Sequence, residues 1–536
     1  MKLIKSFFER YPLRLWFMIL CAVIVQLILF SQKNIFHGDE FVTFNMLSGT
    51  YGEYMGMQDV LFSRDYIIRM FNNRDATFMD MWQDLNLDVH LPFYFIALWP
   101  IKLLVNTNIN FMLPAEILNV LALIGLLIGF YKLCLELFEN KEIALASVFL
   151  FMFSAHMISF EILLRMYLLW IFLAVWQLYF TIHFIKGQTD KKTLFLIGLF
   201  STLQILTHYY GFIFSFILTG MTLFVLLLDK NFVKKKLILF AFTMLISAIM
   251  VFIIFPDLVD VVLHRHRGLE IWRNLQDWGQ YPLNVFGWRV EFLNEILPVS
   301  LSIIVIFMLL LSMVFVYLFE KKKISNENGN IFLVLTFLFL FYSVIIMVIM
   351  PDVSSWRDNS FRYFSLCYPI GFLLLIYFVQ FCGQIIKLRD SFIALILLII
   401  AGIHGVMSAG LNDKALYFQL SGDRDKVIKA VKSQEVWYNF SAGDMIHILD
   451  GLYFSDGIFV LSDYESENFA EFVQIGKEKG KYAYLLMPIE FENSIPNIID
   501  WIKRDLKRNA YYLYTVRKNP KMGVSLDMVV FLVAPY

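Results

Sequence analysis

Apolar residues run in long blocks along the chain as far as residue 410, separated by short polar stretches. Leu15–Phe30, Leu237–Phe255 and Ile331–Met350 each contain no charged residue. A run of about 18 or more apolar residues spans a bilayer core of roughly 30 Å as a helix. The pattern predicts a first span at 15–30. Further spans follow near 115–138, 143–160, 166–185, 194–207, 211–228, 237–255, 298–319, 331–350, 363–381 and 391–409, about eleven in all. One more apolar run, Leu91–Val105, is short and carries Pro92 and Pro100.

Beyond residue 410 the pattern changes. Short β-like runs at Ile458–Leu461, Tyr482–Met487, Tyr511–Val516 and Met528–Val533 alternate with amphipathic stretches such as Asp423–Lys432, Asn468–Lys479 and Ile495–Lys507. That alternation predicts a small α/β domain over 411–536. It contains no glycine-rich phosphate loop, which argues against a nucleotide site there.

Composition sharpens the picture. Of 536 residues, 59% are hydrophobic and 17% charged, against roughly 45–50% and about 25% in soluble domains. A soluble enzyme, a DNA-binding domain and a disulfide-rich secreted module are excluded. With 45 basic and 45 acidic residues there is no net charge to attract nucleic acid. Cys21, Cys134, Cys367 and Cys382 lie within or at the end of apolar runs, as packing residues.

The distribution of charge sets direction. Lysines and arginines gather at 2–14, 186–192, 230–236, 320–323 and 387–389. Basic loops face the cytoplasm, and all of these do so together only if Leu91–Val105 enters the outer leaflet and returns without crossing. No small-x-small cleavage site follows the first apolar run, so it reads as a retained span with a cytoplasmic N-terminus. Eleven crossings then place the C-terminal domain outside, with outer loops at 31–90 and 256–297. The expected division is a transmembrane domain over 1–410 and an extracytoplasmic α/β domain over 411–536.

Most of the unusual polar chemistry falls on that outer face. His37, Gly38, Asp39 and Glu40 follow the first span closely, where partial desolvation makes a carboxylate a better base. An N-cap is the structural alternative for Asp39. Asp88 and His90 precede Pro92 and have the spacing to hold a metal, a water or a phosphate oxygen. Glu161 and Arg165 stand four apart at a span end, where they either pair on a helix face or mark a site. Tyr167 lies close by. Thr207, His208, Tyr209 and Tyr210 form a tight outer turn, and Arg357, Asp358, Arg362 and Tyr363 precede a late span. His264–Arg267 is a compact cationic patch in the second outer loop. Transporters place ionisable groups near mid-membrane, often in two repeated halves; neither feature is visible. The pattern fits an enzyme working at the outer membrane surface on a phosphate-bearing lipid.

Five motifs in order carry a family resemblance. Asp39-Glu40 is similar to the acidic pair in the first outer loop of the C-type integral membrane glycosyltransferases of family 39, the protein O-mannosyltransferases and bacterial aminoarabinose-type transferases. Asp88 to Tyr94 resembles their D-x-H-P-P-L-Y-Y, with Leu91 at the first proline. Ser159 to Tyr167 resembles S-x-E-x-R-x-Y, with two extra residues between Glu161 and Arg165. Thr207-His208-Tyr209 is similar to T-H-Y/F, and Phe361-Arg362-Tyr363 to P-R-Y.

The resemblance implies a polytopic α-helical cell-membrane protein of the C-type glycosyltransferase fold. It implies transfer of a sugar from a polyprenyl-phosphate donor to a glycan, lipid or protein acceptor on the extracytoplasmic face, with inversion. Asp39 would be the general base and Glu40 the second choice. Asp88, His90, Arg165, Tyr167, His208, Arg362 and Tyr363 would bind the donor and its phosphate. A divalent metal at Asp88, His90 or His208 is possible in relatives, and no cofactor is certain. The alternatives are a ligase or polymerase using lipid diphosphate, and a flippase or transporter of lipid-linked sugar.

Overall fold

The computed structural model describes residues 11–32, 38–52, 60–63, 69–87, 90–105, 111–228, 234–259, 326–349 and 360–410, and five strands of the tail. Seven helices among the described residues are long and apolar enough to cross a membrane. They fall on the expected spans near 15–30, 115–138, 166–185, 211–228, 237–255, 331–350 and 363–381. Among the described residues the count of eleven is therefore not confirmed. The expected span 298–319 lies outside the described residues, as do the patch His264–Arg267, residues 260–297 of the second outer loop, Arg357, Asp358 and the three amphipathic stretches of the tail. Lys191–Thr207 and Asp390–Gly410 are helices where spans were expected.

The expected span 143–160 is two helices instead, Lys141–Met152 and Ala155–Ile162. The division has a local cause. Ser154 adopts an extended conformation and its hydroxyl accepts from Met157 N at 3.3 Å, capping a new helix. The same hydroxyl donates to Phe151 O at 2.8 Å, satisfying a carbonyl at the end of the first. Other helix starts are capped likewise. Asn140 Oδ1 accepts from Glu142 N and Ile143 N at 2.9 and 3.1 Å, and Asp190 Oδ1 from Lys192 N and Thr193 N at 2.8 and 3.0 Å.

Leu113–Phe138 and Tyr167–Ile185 pack closely at two glycines. A Cβ on Gly125 would come within 2.5 Å of the Phe172 ring, and one on Gly129 within 2.7 Å of Trp176 Nε1. The space those glycines leave is filled by the two aromatic rings, and Trp176 Nε1 donates to Gly125 O at 2.9 Å. Small residues four apart commonly permit such approach between membrane helices. Buried Gln177, Gln204, Ser201 and Ser215 add hydrogen bonds between three neighbouring helices.

The short apolar run forms the helix Phe93–Leu104. Its 12 residues reach only about 18 Å, well short of a bilayer core. Near its far end, Lys102 Nζ donates to Leu47 O at 2.7 Å and Asn73 O at 3.0 Å. Both carbonyls precede the helix in the chain, Leu47 at the end of Gly38–Leu47 and Asn73 in the segment after it.

Six strands form one sheet: β1 (Val60–Ser63), β2 (Trp437–Phe440), β3 (Ile458–Leu461), β4 (Ala483–Pro488), β5 (Ala510–Val516) and β6 (Met528–Val533). Their order is β1-β3-β2-β4-β6-β5. Four of the tail strands match the expected β-like runs to within a residue, whereas β2 was not foreseen. β1 belongs to the first loop and pairs antiparallel with β3, Val60 opposite Leu461 and Ser63 opposite Ile458.

Candidate active site

The site is built around a second helix break. Ala155–Ile162 ends, and Tyr167–Ile185 begins after Leu163, Leu164, Arg165 and Met166. A break in an apolar interior exposes carbonyl and amide groups that need partners. Three buried polar side chains from distant elements provide them. Gln26 Nε2 donates to Glu161 O at 2.8 Å. Asn119 Nδ2 donates to Glu161 O at 3.0 Å and Leu163 O at 2.9 Å. Glu40 Oε1 accepts from Leu164 N at 2.6 Å.

This scaffold presents Arg165, which is fully buried. Its Nη1 donates to Thr43 Oγ1 at 2.8 Å, and its Nη2 meets His90 Nε2. Guanidinium only donates, so His90 Nε2 accepts and the imidazole carries its proton on Nδ1. Arg165 Nε is buried and has no hydrogen-bond partner among the described residues. Glu161 does not share a helix with Arg165, so the expected four-residue pairing on one face is not formed. Its Oε1 is buried without a hydrogen-bond partner among the described residues.

Tyr167 opens the next helix and leads to the second half of the site. Its ring lies 5.7 Å from that of His208. His208 occupies the extended residue between Lys191–Thr207 and Tyr210–Leu228 and stacks on Trp170 at 4.4 Å. Its Nδ1 accepts from Tyr210 N at 3.2 Å, which leaves the neutral ring's proton on Nε2. The His208 ring is 6.2 Å from Tyr363, and Tyr210 is 5.4 Å from Tyr363. Arg362 is buried, lies over the Tyr363 ring at 5.1 Å and donates from Nη2 to Tyr363 Oη at 3.3 Å. Tyr342 Oη fixes this segment by donating to Tyr363 O at 3.2 Å.

Two sets of contacts thus lie on either side of the break: Glu40, Arg165 and His90 around Leu164 and Thr43, and Tyr167, His208, Tyr363 and Arg362. Asp39 stands in the first turn of Gly38–Leu47 rather than before it; its side chain lies outside the described residues, as do His37 and Asp88. Thr43, Gln26 and Asn119 were missed. A polar residue inside an apolar span is the signal that marks Gln26 and Asn119; Thr43 carries no such signal.

The described residues do not fit a metal. A metal-bound histidine donates through its other ring nitrogen, but His208 Nδ1 accepts a hydrogen bond. His90 Nε2 faces the Arg165 cation, which opposes a second cation there. No group of three metal-ligating residues occurs among the described residues.

No family model matches the chain, and no curated protein matches it. Among solved structures, it is similar to the Archaeoglobus fulgidus oligosaccharyltransferase in complex with Zn and sulfate, with 14% identity and a TM-score of 0.46 over 93% of this chain and 72% of that one. The same organism's oligosaccharyltransferase AglB with an inhibitory peptide and a dolichol-phosphate gives 13% identity and 0.41, over 94% and 73%. ArnT from Cupriavidus metallidurans bound to undecaprenyl phosphate gives 10% identity and 0.37, over 96% and 98%. At identities and scores this low the likeness assigns no residue, donor or acceptor.

Proposed function

We propose that the protein is a membrane glycosyltransferase that moves a sugar from a polyprenyl-phosphate donor to an acceptor on the extracytoplasmic face. One observation carries the reading: a buried arginine, Arg165, is held by Thr43 and His90 beside the Glu40–Leu164 contact, and a second, Arg362, lies over Tyr363 next to His208 and Tyr167. Guanidinium groups make charge-assisted, planar hydrogen bonds to phosphate oxygens. A departing lipid phosphate presents such oxygens and develops charge in the transition state.

Asp39 takes the proton of the acceptor hydroxyl. The acceptor oxygen forms its bond to the anomeric carbon from the face opposite the phosphate. The carbon–oxygen bond to phosphate breaks, and its electron pair leaves with the lipid phosphate. A single displacement inverts the anomeric centre. Arg165 and Arg362 hold the phosphate oxygens, with Tyr167 and Tyr363 as added donors. Glu40 keeps the Leu164 amide, and so the Arg165 break, in place. No metal is assigned to any step.

The test is a product assay on purified protein given donor and acceptor. Free polyprenyl monophosphate appearing in step with glycosylated acceptor supports the reading. Polyprenyl diphosphate instead would mean a ligase with diphosphate donors, and donor moved across a bilayer without bond cleavage would mean a transporter.

A further inference from the structure

At the helix break, the backbone of Glu161 is held from two sides while its carboxyl group is left over. Gln26 Nε2 on Leu13–Gln32 and Asn119 Nδ2 on Leu113–Phe138 both donate to Glu161 O, at 2.8 and 3.0 Å. The residue is 1% exposed, and its Oε1 has no hydrogen-bond partner among the described residues. A buried acceptor left unmet destabilises a fold, and more so when it is charged.

The break itself creates this situation. On a continuous helix Glu161 and Arg165 would share a face and pair there. Instead Ala155–Ile162 ends, Tyr167–Ile185 starts afresh, and Arg165 turns to Thr43 and His90. Arg165 Nε is also buried without a hydrogen-bond partner among the described residues. An acceptor and a donor are thus kept from pairing by a break that Gln26, Asn119 and Glu40 hold in place. The two call for different ligand groups. A guanidinium N–H suits phosphate oxygens. A phosphodiester has no proton to offer a carboxylate, so the group that meets Glu161 must be a donor such as a hydroxyl. A sugar phosphate carries both. A buried acceptor matched to a hydroxyl also discriminates strongly against a ligand that lacks it, because the acceptor is then left unpaired.

We propose that Glu161 is a specificity-determining residue of this site: its carboxylate accepts a hydrogen bond from a hydroxyl of the donor sugar, while Arg165 takes the phosphate. The inference rests on the transfer reading.

Binding measurements on full-length purified protein test it without any turnover. The probes are undecaprenyl phosphate alone and undecaprenyl phosphate carrying mannose, glucose, galactose or arabinose. Wild type should bind the bare carrier, and at least one sugar-bearing lipid more tightly. Glu161→Leu should weaken that lipid about tenfold or more, the size of one charge-assisted hydrogen bond, and leave the bare carrier within about twofold. Its unfolding temperature should equal or exceed the wild-type value, because no protein partner is lost. Glu161→Gln keeps the shape and an acceptor oxygen without the charge. It should show a smaller loss in the same direction, and it carries the test if Glu161→Leu does not fold.

Equal weakening of bare and sugar-bearing lipids would make Glu161 a structural residue. Unchanged affinities in the variants, or a wild type that favours no sugar-bearing lipid over the bare carrier, would overturn the inference and leave the transfer reading standing. A wild type that binds none of these lipids would remove the transfer reading and the inference with it.

Discussion

Glu40 and Asp39 are neighbours in one helical turn, and conservative replacements tell their roles apart. Glu40 Oε1 holds the Leu164 amide in a buried setting. Glu40→Gln keeps an oxygen in that place, so turnover should stay within about tenfold of wild type, the change expected when a hydrogen bond is weakened rather than lost. Glu40→Ala leaves a buried N–H without its acceptor, at a cost of about 1–3 kcal/mol, which a lowered unfolding temperature would report. Wild-type activity and stability in Glu40→Ala would remove the Leu164 contact from the account. Arg362→Ala should raise the donor KM, with Arg362→Lys recovering only part, because an ammonium cannot offer the planar fork of guanidinium to phosphate oxygens. The loss should be on the order of 1.5–3 kcal/mol. Unchanged donor binding in a folded Arg362→Ala would make that residue only an interface anchor.

Between residue and fold, the breaks decide where Arg165 stands. Asn119→Leu keeps the approximate volume but withdraws the amide from Glu161 O and Leu163 O. The break should then loosen, lowering both unfolding temperature and donor affinity; an unaltered KM would show that the break holds itself. The helix Phe93–Leu104 supplies a titration. Burial pushes the Lys102 ammonium down to about 8, and nearby Asp80 raises it in part. An unfolded lysine titrates near 10.4, so the folded state binds fewer protons between about 8 and 10.4. Stability should therefore rise with pH across that window. Lys102→Met should flatten this rise in thermal-unfolding midpoints taken from pH 7.5 to 9.5.

These elements were legible to unequal degrees. Spans with one long uncharged run, such as Tyr210–Leu228 and the part of Lys234–Ile254 beyond its lysines, announced themselves by hydropathy. The break at Ser154 did not, because it falls inside the expected span 143–160. The break at 163–166 lies between two expected spans, but the groups that satisfy it, Gln26, Glu40 and Asn119, lie far away in sequence. His90, Arg165, Tyr167, His208, Arg362 and Tyr363 stood out as polar groups beside apolar runs; the structure brings His90 to Arg165 and Tyr167, His208 and Arg362 towards Tyr363. Their partner Thr43 looked ordinary until the fold brought it there.

At the scale of the whole molecule, the sheet ties the first loop to the tail. β1 pairs with β3, so a test of the side on which the tail lies also tests the first loop. Protease added outside sealed cells should remove the tail beyond about residue 411. A tail protected in intact cells and cleaved only after permeabilisation would reverse the assignment of sides for loop and tail together.

The central claim is that a carboxylate at Asp39 activates the acceptor while buried arginines receive a departing lipid phosphate. The most direct measurement is release of polyprenyl monophosphate by wild type and by Asp39→Asn, with donor binding followed in the same preparations. Asparagine keeps the shape and loses proton acceptance. Release should fall by about 10²–10⁴-fold while donor affinity stays at the wild-type value. Near-normal release from folded Asp39→Asn, or release of polyprenyl diphosphate by the wild type, would contradict the account.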